Sequence, residues 1–425
     1  MILNALKASL GSMREKSGSE SSSALVGTFL VANAFVWYLG AFKFLQEGFA
    51  NNALLLIISI NIIALVLTAF VVTLLMKKFT RRLVFLKYWI IVGLIISVSY
   101  AALSLTDFVS VVTESAVLGA YFGLGMPICM GYFSASTKPE KRAKSAAIII
   151  LVIGLGFPAL TLFDVSQTFL IAAALTAWRF LALFFIYLFN PNERLAEPKE
   201  TASYRSIVVN KTFLLYIVPW VMFVLINDLT TQMNNIHFAS FPPVFANNYL
   251  IIENVFSGVS AVACGLIADR KGRKSVALPA FALLGLGYAA LGIFGGSYAY
   301  SAAWFYICAD GVAWGAFSML FLITVWGDMA QEGNSEKYYF IGVLPYLISN
   351  IMGITLGGLI TTDMSVGTAF PVFSFASFFL FMSILPLAYA PETLSERILS
   401  KLDIDDYVSK ALEKSRKDTS SRLEK

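Results

Sequence analysis

Long apolar stretches alternate with short polar breaks along most of the chain. A helix needs about 20 apolar residues to cross a hydrocarbon core of about 30 Å. Twelve stretches meet that length, over roughly 24–42, 52–76, 83–105, 108–134, 146–164, 167–190, 212–233, 247–268, 275–295, 299–327, 338–361 and 367–390. Several breaks are too short to hold a folded domain, so the pattern predicts an all-α membrane protein with twelve transmembrane helices. Composition agrees, with 58% hydrophobic and only 13% charged residues and a mean hydropathy of +0.75. A water-soluble globule could not cover that much apolar surface.

The basic residues set the expected orientation. With the N-terminus inside, every Lys and Arg falls on the inner side except Lys43, in an outer loop, and Arg179, inside the sixth stretch. The inner breaks include Lys77 to Arg82, Lys138 to Lys144, Arg194 to Lys211 and Arg270 to Lys274. The excess of Lys and Arg on cytoplasmic loops therefore predicts both termini in the cytoplasm and a multi-pass protein of the cell membrane. The net charge of +5 follows from this bias and needs no nucleic-acid partner.

The two halves repeat. Phe49-Ala50-Asn51-Asn52 opens the second stretch and Phe245-Ala246-Asn247-Asn248 the eighth. Arg81-Arg82 returns as Arg273-Lys274, Glu140-Lys141 as Glu336-Lys337, and Phe29 with Asn33 as Phe223 with Asn227, all 192 to 196 residues apart. Six spans precede the second copy, so both halves insert with the same polarity and form a parallel repeat. The expected organisation is an N-terminal tail over 1–23, a six-helix bundle over 24–190, a cytoplasmic loop over 191–211, a second bundle over 212–390 and a tail over 391–425. The first tail carries Lys7, Arg14 and Lys16 but no cleavable apolar segment, and is read as retained. In the last tail Leu394, Ile398, Leu402, Val408 and Leu412 fall on one helical face, the mark of a solvated or surface-lying helix.

One inner loop is more specific. Gly265-Leu266-Ile267-Ala268-Asp269-Arg270-Lys271-Gly272-Arg273-Lys274 follows the eighth stretch. Gly265 permits close helix contact, Gly272 a tight turn, and Asp269 is suited to a helix N-terminus or an Arg partner. The run resembles the signature loop of the major facilitator superfamily, with Ile267 in place of a Leu. The first-half counterpart departs from the pattern, with Lys77 where the Asp belongs and Thr73 and Thr80 for the glycines. The resemblance implies two bundles rocking about a central site. It further implies that helices 1, 4, 7 and 10 line the cavity, that 2, 5, 8 and 11 join the halves, and that the monomer is the working unit. Gly265, Asp269, Arg270, Gly272, Arg273 and Lys274 are then the cytoplasmic gate. Pro391-Glu392-Thr393 and Pro191-Asn192-Glu193-Arg194 are similar to closing motifs of the family's sugar porters. Gly154-Leu155-Gly156-Phe157-Pro158 loosely resembles a motif of its antiporters.

Charges within a bilayer are costly and mark candidate chemistry. Asp310 lies about ten residues into the tenth stretch, near the midplane at about 1.5 Å per residue. A carboxyl in low dielectric favours its neutral form, which makes Asp310 the first candidate proton carrier and Asp228 the second. The polar run Asn227, Asp228, Thr230, Thr231, Gln232, Asn234 and Asn235 predicts a wet cavity wall or an unwound helix end. Asn33, Trp37, Tyr38, Asn227, Gln232 and Trp314 are the substrate-cavity candidates, with simple interhelical hydrogen bonding as the alternative for the amides. Glu114 and Glu253 read as interfacial, Arg179 as half of a structural ion pair, and His237 as a solvated loop residue.

Cys129, Cys264 and Cys308 stand far apart and the chain has a single His, so neither a disulfide frame, a metal site nor a cofactor is expected. The same sparsity argues against a membrane-embedded enzyme. The sequence thus predicts secondary active transport of a small organic solute, coupled to protons. An uncoupled facilitator and a non-transporting receptor or scaffold are the alternatives.

Overall fold

The computed structural model of the chain describes residues 19–75, 81–160, 167–191, 202–246, 248–296, 298–330, 335–361, 366–395, 398–400 and 404. Twelve helices are long and apolar enough to cross a membrane, as the hydrophobic pattern predicts. They are α1 (Ser19–Gln46), α2 (Asn51–Leu75), α3 (Arg82–Ser99), α4 (Phe108–Ser136), α5 (Pro139–Leu160) and α6 (Thr168–Phe189) in the first half. The second half holds α7 (Lys211–Ala239), α8 (Tyr249–Lys271), α9 (Lys274–Phe294), α10 (Ala299–Met329), α11 (Ser335–Thr361) and α12 (Val366–Tyr389). No strand occurs among the described residues. The tail residues 1–18 and most of 401–425, with the apolar face expected there beyond Ile398, lie outside the described residues, as do Lys77 and Thr80.

The repeat read from sequence returns as packing. In the first half α2 packs on α4, α3 on α6, and α1 on both α5 and α6. In the second half α8 packs on α10, α9 on α12, and α7 on both α11 and α12. These are the same pairs shifted by six helices. The halves meet through α5 against α8, through α2 and α4 against α11, and through α5 against α10.

Why the chain needs lipid is visible on its outside. Leu67, Tyr88, Ile95, Phe180, Val259 and Phe378 are all more than half exposed, and they face outward from helices whose opposite faces are buried. In water that surface would be costly; against hydrocarbon it is neutral. Inside, aromatic residues fill the bundles, with Trp37, Trp220 and Trp326 fully buried.

Helix α10 is not regular. Over Ser318–Thr324 it widens into a π-helical turn, where Thr324 Oγ1 donates to the carbonyl of Met319, five residues back, at 2.7 Å. Trp326 Nε1 likewise donates to the carbonyl of Phe321. Side-chain donors thus add to the carbonyls of the wider turn, and such bulges are frequent at functional sites. Helix α7 is continuous to Ala239, so of the two expectations for its polar run the unwound end is not realised.

Candidate functional site

A cavity of about 450 Å³ lies between the halves. Helices α1, α2, α4 and α5 wall one side and α7, α8, α10 and α11 the other, while among the described residues α3, α6, α9 and α12 contribute nothing to it. Asn227, Thr231, Asn234 and Asn235 reach it from one face of α7, at the spacing of successive helical turns. Thr230, on the flank, hydrogen-bonds with Tyr288 at 2.7 Å.

Asp310 lines the cavity and is 3% exposed. Its Oδ2 accepts from the Tyr306 hydroxyl at 3.1 Å, and Tyr306 in turn accepts from Asn234 Nδ2 at 2.9 Å. Its Oδ1 has no partner. Glu253, four residues into α8, also lines the cavity, and its backbone carbonyl packs against Gly311, the residue next to Asp310. The interfacial reading of Glu253 is therefore corrected. Depth counted from the end of an apolar stretch misled there, because the cavity extends toward the start of α8.

The other candidates divide. Tyr38, Asn227 and Trp314 line the cavity, with Trp314 Nε1 donating to Asn227 Oδ1 at 3.2 Å. Asn33 and Trp37 do not: both are fully buried inside the first half. Asn33 donates to the carbonyl of Trp178 at 2.6 Å and accepts from Arg179 at 3.0 Å, and Trp37 donates to Ser97 Oγ at 2.7 Å. Gln232 is half-buried and off the cavity. Asp228 turns to the seam between α7 and α11, where Ser349 Oγ donates to it at 2.6 Å and its Cβ lies 2.7 Å from where a side chain on Gly353 would begin.

Two further expectations fail. Arg179 has no carboxylate partner among the described ion pairs. Its guanidinium is held by Asn33 and by Tyr121 OH at 2.7 Å, and it stacks on Trp89 and Trp37 with centroid distances of 4.3 and 5.3 Å. Aromatic quadrupoles replace the anion. His237 is 1% exposed, on α7 rather than in a loop, ringed by Phe238, Phe241, Phe370 and Phe373.

On the side of the basic loops the cavity is sealed by charge. Asp269, at the end of α8, accepts from the backbone N–H groups of Ala143 at 3.0 Å and Lys144 at 2.8 Å, in the first turns of α5. The contact crosses from one half to the other and sets a carboxylate against a helix N-terminus. Arg273, fully buried, donates to Asp269 at 2.7 Å, to Asp328 of α10 at 2.8 Å and to the carbonyl of Pro139 at 2.6 Å. Arg142 of α5 reaches the other oxygen of Asp328 at 2.5 Å. A second bridge, Arg82 to Glu336 at 2.7 Å, joins α3 to α11.

The glycines of this loop answer to geometry. A Cβ on Gly265 would stand 2.6 Å from that of Ala147, so its absence lets α8 touch α5. Gly272 has φ of +92°, a conformation L side chains rarely adopt, and the turn places Glu392 on the N–H groups of Arg273 and Lys274 at 2.8 and 3.1 Å. Lys274 Nζ donates to the carbonyls of Ala388 and Ala390, and Arg270 is exposed.

No family model matches the chain, and no curated protein sequence does. Solved structures do. A proton:xylose symporter of the major facilitator superfamily, XylE, solved with 6-bromo-6-deoxy-D-glucose, aligns with a TM-score of 0.63 at 15% identity over 90% of this chain and 99% of that one. A bacterial homologue of the iron transporter ferroportin, in an outward-facing state with soaked iron, gives 0.64 at 13% identity over 90% and 99%. The human organic anion transporter MFSD10 gives 0.57 at 12% over 87% and 99%. The chain has the major facilitator superfamily fold.

Proposed function

We propose that this chain is a secondary transporter of the cell membrane that moves a small organic solute by alternating access, with protons as the coupling ion. The observation that carries the reading is a cavity walled by both halves and closed at one end by ion pairs and hydrogen bonds between them. Ion pairs across a bundle seam hold one arrangement without fixing it, because separation returns both charges to water. With both termini inside, the sealed end is cytoplasmic and the conformer faces outward.

Asp310 and Glu253 supply the coupling. Asp310 has one hydrogen bond and, among the described residues, no cation lines its cavity, so a bare charge there is expensive and proton uptake relieves it. Glu253 places a second carboxyl on the wall of the same cavity. The driving force suffices: a hundredfold solute gradient needs about 2.8 kcal/mol and one charge crossing 100 mV supplies about 2.3. A scaffold has no use for such a cavity, which argues for transport over that alternative.

The test needs no substrate. A cysteine in place of Thr231, an exposed residue of the cavity wall, should react with a membrane-impermeant thiol reagent from outside. Weakening the cytoplasmic seal should slow that reaction and allow reaction from inside. A residue reactive from neither side, or from one side only in both backgrounds, would count against alternating access.

A further inference from the structure

The two walls of the cavity differ in chemistry. The first half presents Phe35, Leu65, Phe122, Met126, Ile153 and Phe157, and its one polar side chain, Tyr38, spends its hydroxyl on Asn61 Oδ1 at 2.5 Å. The second half presents Glu253 and Asp310 with four asparagines, Asn227, Asn234, Asn235 and Asn254. Among the described residues no Lys, Arg or His lines the cavity.

Around Asp310 the donors are used and two acceptors are left over, whereas Asn227 Oδ1 accepts from Trp314 and Asn235 Oδ1 from Tyr249. Asn234 gives an N–H to Tyr306, and Tyr306 gives its hydroxyl proton to Asp310. Asp310 Oδ1 and Asn234 Oδ1 remain unpartnered, in side chains 3% and 8% exposed. Glu253 is placed beside them: its carbonyl oxygen lies 3.0 Å from where a side chain on Gly311, next to Asp310, would begin. Unsatisfied buried acceptors beside two carboxylates call for a ligand that brings donors and positive charge.

We propose that the solute is an amphiphilic organic monocation, a protonated amine on an apolar or aromatic body. Its N–H groups meet Asp310, Asn234 and Glu253, and its body lies on Phe35, Phe122 and Phe157. The assignment rests on the transport reading and adds the substrate class to it. An anion would meet two carboxylates and no counter-charge. A neutral sugar would lack hydrogen-bond partners along the whole first-half wall. A divalent metal is a poorer fit, because no three of His, Cys, Asp and Glu gather for one among the described residues.

The same geometry sets how protons act. The titratable groups facing Asp310 are Tyr306 on its own helix, Tyr288 from α9 and Glu253 from α8, while Tyr249 faces Glu253 and α7 presents only the amide of Asn234. The carboxyl pair is thus the group that takes either a proton or the cation, and the two compete. One cation then moves against one proton.

Three probes of one shape test the class: 2-(1-naphthyl)ethylamine, its alcohol analogue 2-(1-naphthyl)ethanol, and 3-(1-naphthyl)propanoate. Binding to the full-length protein in detergent is measured by calorimetry. The amine should bind at least about tenfold more tightly than the alcohol, the carboxylate should not bind, and acidification should weaken the amine alone. The double variant E253Q/D310N should lose the preference for the amine while still binding the alcohol, which reports an intact cavity. Equal binding of amine and alcohol, or preference for the carboxylate, overturns the cation assignment and leaves the transport reading standing. Binding of none of the three overturns the assignment too, and the transport reading falls with it only if Thr231→Cys also fails to become accessible from both sides.

Discussion

Asp328→Asn should open the sealed end of the cavity. Asp328 is 1% exposed at its side chain and carries two buried guanidinium groups, Arg273 at 2.8 Å from its own half and Arg142 at 2.5 Å from the other. The amide leaves both cations without that shared anion, although Arg273 keeps Asp269. Removing one partner of a buried pair costs about 3–5 kcal/mol, and the retained shape and carbonyl of Asn put the value near the lower end. Little of that cost persists once the halves part, because Arg142 then regains water. About 3 kcal/mol shifts the balance of the two conformers roughly a hundredfold toward the state open at the basic loops. A cysteine replacing Val343, on the α11 wall of the cavity, reports the shift. In inverted membrane vesicles its reaction with an impermeant thiol reagent should speed up by one to two orders of magnitude in the Asp328→Asn background. Equal rates in both backgrounds would refute the account of the seal.

Other outcomes follow from the same geometry. Asp310→Asn should abolish solute accumulation driven by a pH gradient while leaving solute exchange, and accumulation at the parental rate would remove the proton role from Asp310. Gly265→Val should lower stability by about 1–3 kcal/mol and weaken the seal, since even a Cβ there meets Ala147 at 2.6 Å, and an unchanged thermal midpoint would contradict it. Arg179→Lys should cost about 1–3 kcal/mol, because an ammonium cannot hold Asn33 and Tyr121 in one fork while stacking on Trp89, yet solute affinity should stay constant. Cysteines at Tyr298 and Lys271 should label from opposite sides of the membrane, Tyr298 from outside, and labelling of both from one side would break the topology.

The spans were legible because hydrocarbon thickness dictates their length, and the halves because helix pairs repeat wherever the motifs do. A contact between the halves was legible at one loop, where two glycines and an Asp carry geometric demands that a merely basic loop lacks. Which way a polar side chain turns was less accessible. Asn33 and Asn227 occupy matching places, yet Arg179 on α6 captures Asn33 while Asn227 faces the cavity. That contact spans 146 residues and leaves no trace in local spacing. Asp228 and Gln232 were candidates only through neighbours on the same helix, and one turn of 100° per residue separates the cavity face from the α11 seam. Glu253 and His237 were misjudged by depth, because α7 runs beyond its apolar stretch to Ala239 and the cavity reaches the first turns of α8.

Reciprocal motion of the two ends is the most direct measure of alternating access. Spin labels on Lys141 and Lys271 span the sealed end, and labels on Gln46 and Ser240 span the far end, each pair placed across the two halves. Pulsed dipolar distances are then compared between the parent and Asp328→Asn in lipid nanodiscs. The first distance should lengthen while the second shortens. Two unchanged distances, or two that lengthen together as the protein loosens, would contradict it.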